Sequence, residues 1–320
     1  MEVNILISSV SNKVWLVKAF QEALRLEDDI QGKVISIDQD RLSAGLYESD
    51  KHYLVPSSED PKFILEILEI CAKEKISLVI PTRDDELLLF ARCGELFKEK
   101  GIHTAISPIE TIRICQDKYY FSRILKVRGI PIPRTFLPGE IKKIDSIKYP
   151  LMVKPREGSS SQGVYRVNNQ EELKFFTGYV SKPIIQEFID GKEYTVDLFS
   201  DFKGKIISIV PRERIFTRGG ESVKGKTVKD GEATDYALGI SRILDFRGAI
   251  TLQYIRSSEG VKWIEVNPRF GGGCNLSIAA GANSPLFLVQ IITGKKISPK
   301  IEEFKENLTM LRYSQDFFLE

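Results

Sequence analysis

Glu265, Asn267 and Arg269 stand two residues apart within WIEVNPRFGGG, Trp263 to Gly273. Strand side chains alternate faces, so a strand here shows a carboxylate, a carboxamide and a guanidinium on one side. Ile264 and Val266 fall on the other. The preceding run GAITLQYI is joined to it by RSSEG, a turn signal ending in Gly260. A hairpin centred near Ser258–Glu259 sets Gln253 close to Glu265. Two amide oxygens and one carboxylate suit Mg²⁺ held largely through substrate phosphates. A neighbouring Arg grips phosphate oxygens as a fork. The alternative is a solvated polar face of an antiparallel sheet. Asn267 and Pro268 are poor central-strand residues, which speaks for a special role.

Three other stretches could do chemistry. VKPREGSSSQGV, Val153 to Val164, sets a Lys at the end of an apolar strand before a Gly/Ser loop. Such loops let backbone amides approach phosphate oxygens, though a plain hairpin loop reads the same way. IIQEFIDGKEYTVDLF reads as a linker between two lobes or as an ordinary strand–turn–strand. In the first reading the free backbone groups of Glu187, Phe188 and Ile189 face an adenine edge, and Glu193 accepts from ribose hydroxyls. GESVKGKT, Gly220 to Thr227, fits the P-loop pattern. A P-loop Lys begins a helix after a buried strand, whereas Val228 and Gly231 oppose a helix here. A flexible basic loop able to close over an anion is the better reading.

The elements that must hold these residues alternate at first between strand and helix. VNILISS, KVISID and ISLVIP read as buried strands. NKVWLVKAFQEALRL, PKFILEILEICAKEK and DDELLLFARCGELFKEK carry apolar stripes at helical spacing. This order predicts a parallel sheet with helices on both faces and ligands beyond the strand carboxyl ends. Ser8, Ser9, Ser11, Asn12, Asp38, Thr82, Arg83, Asp84 and Glu86 cluster there, with Asn12 and Asp84 equally readable as helix caps. DKYYFSRILKVRG is a helix ending at Gly129, and IPIPRTFLPGE a proline-rich linker. Beyond it the strands look antiparallel, interrupted by a helix near Glu232 to Leu244 and closed by one near Ser284 to Thr293.

With 320 residues the chain has room for two or three subdomains. Its net charge of +2 gives no reason to propose nucleic acid or an anionic membrane as partner. No apolar run approaches the ~18–20 residues of a membrane span, and MEVNILISSV lacks a basic signal-peptide start. The four cysteines form no CxxC pair and fit a reducing cytoplasm. Two histidines argue against a His-based triad or a His-rich metal site.

In order, DK…VKP…GSSSQGV…QEFIDGKEYTVD…EVNPR resembles the ATP-grasp superfamily, in its carbamoyl-phosphate-synthetase-like and biotin-carboxylase-like branch. The resemblance implies a mixed α/β and α+β chain. An αβα parallel-sheet pre-ATP-grasp domain (1–115) would precede a two-lobed ATP-grasp fold, with a small lobe (116–195) and a large lobe (196–320). It implies that Lys118 and Lys154 hold ATP phosphates, and that Gly158, Ser159, Ser160, Ser161 and Gly163 form a phosphate lid. Glu187, Phe188, Ile189 and Glu193 would bind adenosine. Gln253, Glu265 and Asn267 would bind Mg²⁺, two ions being implied and Mn²⁺ a substitute. Arg269 would stabilise the transferring phosphoryl group. The implied reaction converts a small-molecule carboxylate to an acyl phosphate for attack by an amine. Arg212, Arg214, Lys224, Lys226 and the Gly271–Gly273 turn are the acceptor-side candidates, with a solvated sheet edge as the alternative for the two arginines. Self-association stays open. A P-loop kinase or NTPase on Gly220–Thr227 and a non-catalytic ATP-binding module are the competing classes.

Overall fold

The computed structural model describes residues 1–141, 148–158 and 162–319. Its first sheet is parallel. The elements are β1 (Asn4–Ile7), α1 (Val14–Arg25), β2 (Val34–Asp38), α2 (Ala44–Glu48), β3 (Lys51–Leu54), α3 (Phe63–Lys73), β4 (Ile76–Ile80), α4 (Asp84–Arg92), α5 (Gly94–Glu99) and β5 (His103–Thr104). Strand order is β3-β2-β1-β4-β5, so the connections reverse direction between β1 and β4. Every residue of β1 and β2 is buried, so their apolar residues fall on both faces of the strands. The expected third helix is two, because Cys93 leaves the helical conformation before Gly94.

The next elements are α6 (Ile109–Gln116), α7 (Lys118–Val127), β6 (Thr135–Phe136), α8 (Pro138–Ile141), β7 (Leu151–Pro155), β8 (Tyr165–Val167), α9 (Gln170–Tyr179) and β9 (Pro183–Glu187). Their sheet runs β6-β9-β7-β8, all antiparallel. Caps set the helix starts: Asp117 accepts from Tyr120 N, and Asn169 from Glu172 N. The proline-rich linker supplies β6, paired to β9 through Thr135↔Gln186.

The largest sheet comprises β10 (Lys192–Ser200), β11 (Ile206–Arg218), β12 (Glu221–Thr227), β13 (Gly248–Ser257), β14 (Gly260–Asn267), β15 (Lys300–Ile301) and β16 (Thr309–Leu311). Helices α10 (Gly231–Ile243), α11 (Asn275–Ala279) and α12 (Ser284–Ile292) pack around it. The path is β14-β13-β10-β11-β12-β16, with β15 beside β11. Sheets change between Glu187 and Lys192, so β10 already begins before the expected boundary at 195.

Gly220–Thr227 is neither P-loop nor flexible loop. Its residues from Glu221 onward form β12, paired to β11 and β16. Lys226 lies opposite Glu213 in that ladder, so it is a strand residue and the next helix begins only at Gly231. The alternative of a solvated sheet edge at Arg212 and Arg214 is also overturned. Strand β11 lies between β10 and β12, and Arg212 is 1% exposed.

The sheet packs through Val196, Leu252, Tyr254, Trp263 and Val266 against α10. A separate cluster joins the first sheet to the last helices: Ile5, Ile7 and Phe20 meet Phe199, Phe270, Phe287 and Leu288. The small lobe has its own core around Leu151, Val153, Val167 and Ile185.

Candidate active site

Register places the polar residues in rows across the largest sheet. Glu265 lies opposite Gln253, Gln253 opposite Thr195, and Thr195 opposite Arg212. In the next row Asn267 lies opposite Thr251, and Thr251 opposite Asp197. Directly paired residues share a face, so one side of four adjacent strands is polar while the other is core.

The strand does not alternate throughout as its sequence implies. Register shifts between Gln253 and Tyr254, with Tyr254 opposite Trp263, so Ile264 is an extra residue. This β-bulge returns Trp263 to the core and leaves Ile264 lining the cleft beside Glu265. Ile264 therefore does not share the buried face of Val266, as strict alternation had it.

Two cavities flank this surface. The smaller, about 270 Å³, lies between the lobes and is lined by Lys118, Met152, Lys154, Gly158, Glu187, Phe188, Ile189, Glu193, Arg214, Gln253, Ile255, Ile264 and Glu265. The larger, about 1070 Å³, extends to the first sheet and is lined by Ser11, Lys13, Thr82, Arg83, Asp84, Asn267 and Arg269 among others. They meet at Lys118, Glu157, Gly158, Gln162 and Glu265. A recess of about 90 Å³ reaches Arg212, Arg214 and Gly271–Gly273.

Lys154 is the penultimate residue of β7 and is 8% exposed. Burial pushes its pKa down to about 8, with Glu265 pulling it up and Lys118 adding repulsion. Lys118 starts α7 and donates to the Gly158 carbonyl. The α7 terminus is fixed by Asp117, which also takes a two-bond fork from Arg156 at 2.8 and 2.6 Å. Sequence reasoning missed this pair, whose signal was a helix-capping Asp before one cleft Lys and an Arg two residues after the other. Gly163 has φ of +69°, which suits glycine. Ser159, Ser160 and Ser161 lie outside the described residues.

The linker is tied to the small lobe by its own backbone. Glu187 N donates to Arg134 O at 2.8 Å, and Arg134 N returns to the Glu187 carboxylate at 3.1 Å. The Arg166 guanidinium sits 4.4 Å over the Phe188 ring. Met152 of one lobe and Ile255 and Ile264 of the other give this part of the cleft apolar walls, able to hold a flat heteroaromatic ring. The Glu193 carboxylate is half-exposed and 3.3 Å from Arg214 Nε.

Arg269 is held by Asp84, a residue whose sequence context reads equally as a helix cap or a ligand contact. Its Nε and Nη2 donate to the Asp84 carboxylate at 2.8 and 2.5 Å, across 185 residues of sequence. The N-cap position of α4 is Arg83, and Asn12 does not cap α1, whose N-cap is Lys13. Asn267 Nδ2 lies 3.4 Å from Glu265 Oε1. Arg212 donates to Asp197 at 2.6 and 2.9 Å, and Ser277 donates to the same carboxylate at 2.5 Å. Arg212 thus serves the sheet interior while touching the recess. Lys224 and Lys226 line none of these three cavities. Along the end of β12, Gly225 and Thr227 are buried, and the alternating Lys224 and Lys226 take the other face, Lys224 exposed and Lys226 half-buried.

Residues 115–273 match the family model for the ATP-grasp domain, and residues 5–105 that for the PylC-like N-terminal domain. The chain belongs to the ATP-grasp superfamily. The carbamoyl phosphate synthase large chain of Clostridium beijerinckii is 25% identical to this ATP-grasp chain over 258 residues, 75% of it and 24% of the relative. The chain therefore spans about a quarter of the length of the curated relatives it matches. Its fold resembles the biotin carboxylase domain of Hydrogenobacter thermophilus 2-oxoglutarate carboxylase in complex with MgADP, ADP and bicarbonate. That match has a TM-score of 0.74 at 16% identity, covering 95% of this chain and 73% of that one. L-amino acid ligase from Bacillus licheniformis gives 0.71 at 20%, covering 96% and 78%.

The donors at Gln253, Glu265 and Asn267 fit a hard cation. Among the described residues no group of three or more His, Cys, Asp or Glu is placed to hold a metal alone. One carboxylate and two amides beside a lysine-lined cleft suit Mg²⁺ that takes its other oxygens from phosphate and water. Among the described residues no helix is long and apolar enough to cross a membrane.

Proposed function

We propose that this ATP-grasp chain is an ATP- and Mg²⁺-dependent ligase that converts a small-molecule carboxylate to an acyl phosphate for attack by an amine. The observation that carries it is the junction of the two cavities at Glu265, Lys118 and Gly158. A nucleotide with its base between Met152 and Ile264 points its phosphates at that junction. A substrate in the larger chamber meets them there.

Lys118 and Lys154 neutralise the phosphate chain, and Glu187 to Ile189 offer backbone groups to the base. Glu193 accepts from the ribose, its bond to Arg214 giving way or being shared. Glu265, Gln253 and Asn267 would hold the metal, two ions on this reading, and Mn²⁺ would suit the same oxygens. The metal neutralises charge developing on the transferring phosphoryl group. Arg269, held by Asp84 and by its Nη1 bond to the Phe270 carbonyl at 3.2 Å, turns its remaining N–H groups to that charge and to the incoming carboxylate oxygen. The carboxylate oxygen attacks the γ-phosphorus, the bond to the β-phosphate oxygen breaks, and ADP leaves. The amine then attacks the acyl carbon, phosphate departs, and the amine proton passes to water or phosphate. The free cysteines support a cytoplasmic setting.

The test is an ADP-release screen over paired carboxylates and amines with Mg²⁺. Wild-type and Lys226→Ala protein should turn over at least one pair. Glu265→Gln should lose roughly 100-fold or more, the scale of one lost electrostatic stabiliser. Nucleotide binding without ADP release for every pair would instead make the chain a binding module.

A further inference from the structure

Lys13 lies at the wall of the larger chamber and, among the described residues, has no carboxylate within ion-pair distance. It follows β1, where the parallel sheet reverses its order, and the crevice between the β1 and β4 loops opens there. Among the described residues its ammonium makes one hydrogen bond, to the Ser9 carbonyl at 3.3 Å. Burial and the nearby Arg269 both lower its pKa, while Glu86, Glu221 and Asp38 raise it.

Those three carboxylates are already committed. Glu86 is fully buried and accepts from Ser8, Ser9, Thr82 N and Arg83 N at 2.6–3.0 Å. Asp38 accepts from Ser11 N at 2.7 Å and Asp40 N at 3.0 Å. Glu221 pairs with Arg312 at 2.6 Å. Asp84, the nearest carboxylate to Arg269, is taken by that arginine. The crevice is also rigid. Glu86 ties both loops together, and Ser9 and Ser11 sit at φ of 49° and 47°, a left-handed conformation unfavourable for serine. A partly desolvated ammonium in a rigid wall, next to a second cation, is costly unless an anion completes it.

We infer that the substrate filling the chamber carries an oxyanion group, carboxylate or phosphate, distinct from the carboxylate being activated, and that Lys13 binds it. Ser11 and Thr82 border the same place, and the 1070 Å³ of space admits an amine of amino-acid size or larger. Taking the chamber as a substrate site rests on the ligase reading; the unpaired cation does not.

Isothermal titration of the full chain with MgADP present tests this. The probes are amino acids, the matching amino alcohols, and the phosphate esters of those alcohols. Wild-type protein should bind at least one acid or phosphate ester about 10- to 100-fold more tightly than its alcohol, the scale of a charge-assisted hydrogen bond. Which anion wins identifies the source. Lys13→Gln should remove that preference, and Lys13→Arg should restore most of it, with melting temperatures confirming that both fold. No anion preference in wild type, or an undiminished one in Lys13→Gln, overturns the inference. The same pairs are assayed for ADP release with the carboxylate panel. Anion preference without ADP release for any pair removes the ligase reading and leaves this one. Equal ADP release with acid and alcohol does the reverse.

Discussion

Lys154 gathers much of the site's tension in one side chain. Burial holds its pKa near 8, below the ordinary 10.5. Below about pH 8 both folded and unfolded chains carry the proton, and the folded chain bears the full cost of a buried charge. From about pH 8 to 10.5 the unfolded chain binds more protons, so this group's contribution to stability rises with pH. ATP phosphates favour the charged form, so binding near pH 8 should take up about half a proton and weaken as pH rises further. Titrations in buffers of different ionisation enthalpy measure that uptake. Lys154→Met should abolish it, weaken ATP binding and raise Tm near neutral pH. Asp84 is the second residue of interest because it touches Arg269 and not the phosphate site's other groups. Asp84→Asn should lower kcat/KM roughly 10- to 100-fold, the scale of misplacing a group that must be aligned. The double variant Asp84→Asn, Arg269→Ala should be no slower than Arg269→Ala alone. Additive losses in that cycle would show that Asp84 acts elsewhere.

At the scale of elements, the glycines after Arg269 have a cause the sequence does not display. A Cβ on Gly273 would lie 2.6 Å from Arg212 Nη1, and one on Gly272 2.7 Å from the Glu221 carboxyl carbon. The turn is thin because neighbouring side chains, the buried Arg212 and the exposed Glu221, occupy the space a side chain needs. Gly273→Ala should therefore push Arg212 off Asp197 and destabilise the fold by roughly 1–3 kcal/mol, the usual cost of overpacking, readable as a fall in Tm. Gly294→Ala, with open space at its Cβ but φ of +80°, is a control for backbone strain alone. What was legible in the sequence follows from local rules. Gln253 opposite Glu265 came from a turn signal and strand period, and the parallel sheet from apolar runs alternating with amphipathic helices. The bulge at Ile264, the burial of Arg212 and the strand at Glu221–Thr227 were not legible. Each depends on which strands neighbour which, and neighbours in a sheet are set by long-range pairing. The P-loop pattern failed for the same reason: its meaning lies in the helix that should follow, and here a sheet partner takes that place.

Across the whole molecule, the first sheet and the largest sheet share a continuous core through Phe20, Phe270 and Phe287, whereas the small lobe keeps a core of its own. The amino-terminal domain is thus built into the chamber wall, and Asp84 and Lys13 reach the site from it. This explains why the domain's polar strand ends were hard to assign: capping and ligand contact look alike until the opposite wall is known. In the proposed reaction a substrate carboxylate receives the γ-phosphoryl group at the Glu265 junction. Once the ADP-release screen supplies a reacting pair, the carboxylate can be labelled with ¹⁸O and the released phosphate read by mass spectrometry. An acyl phosphate requires one labelled oxygen in each phosphate released. Phosphate carrying only unlabelled oxygen would mean that water, and not the carboxylate, accepts the phosphoryl group, which would contradict the proposed reaction.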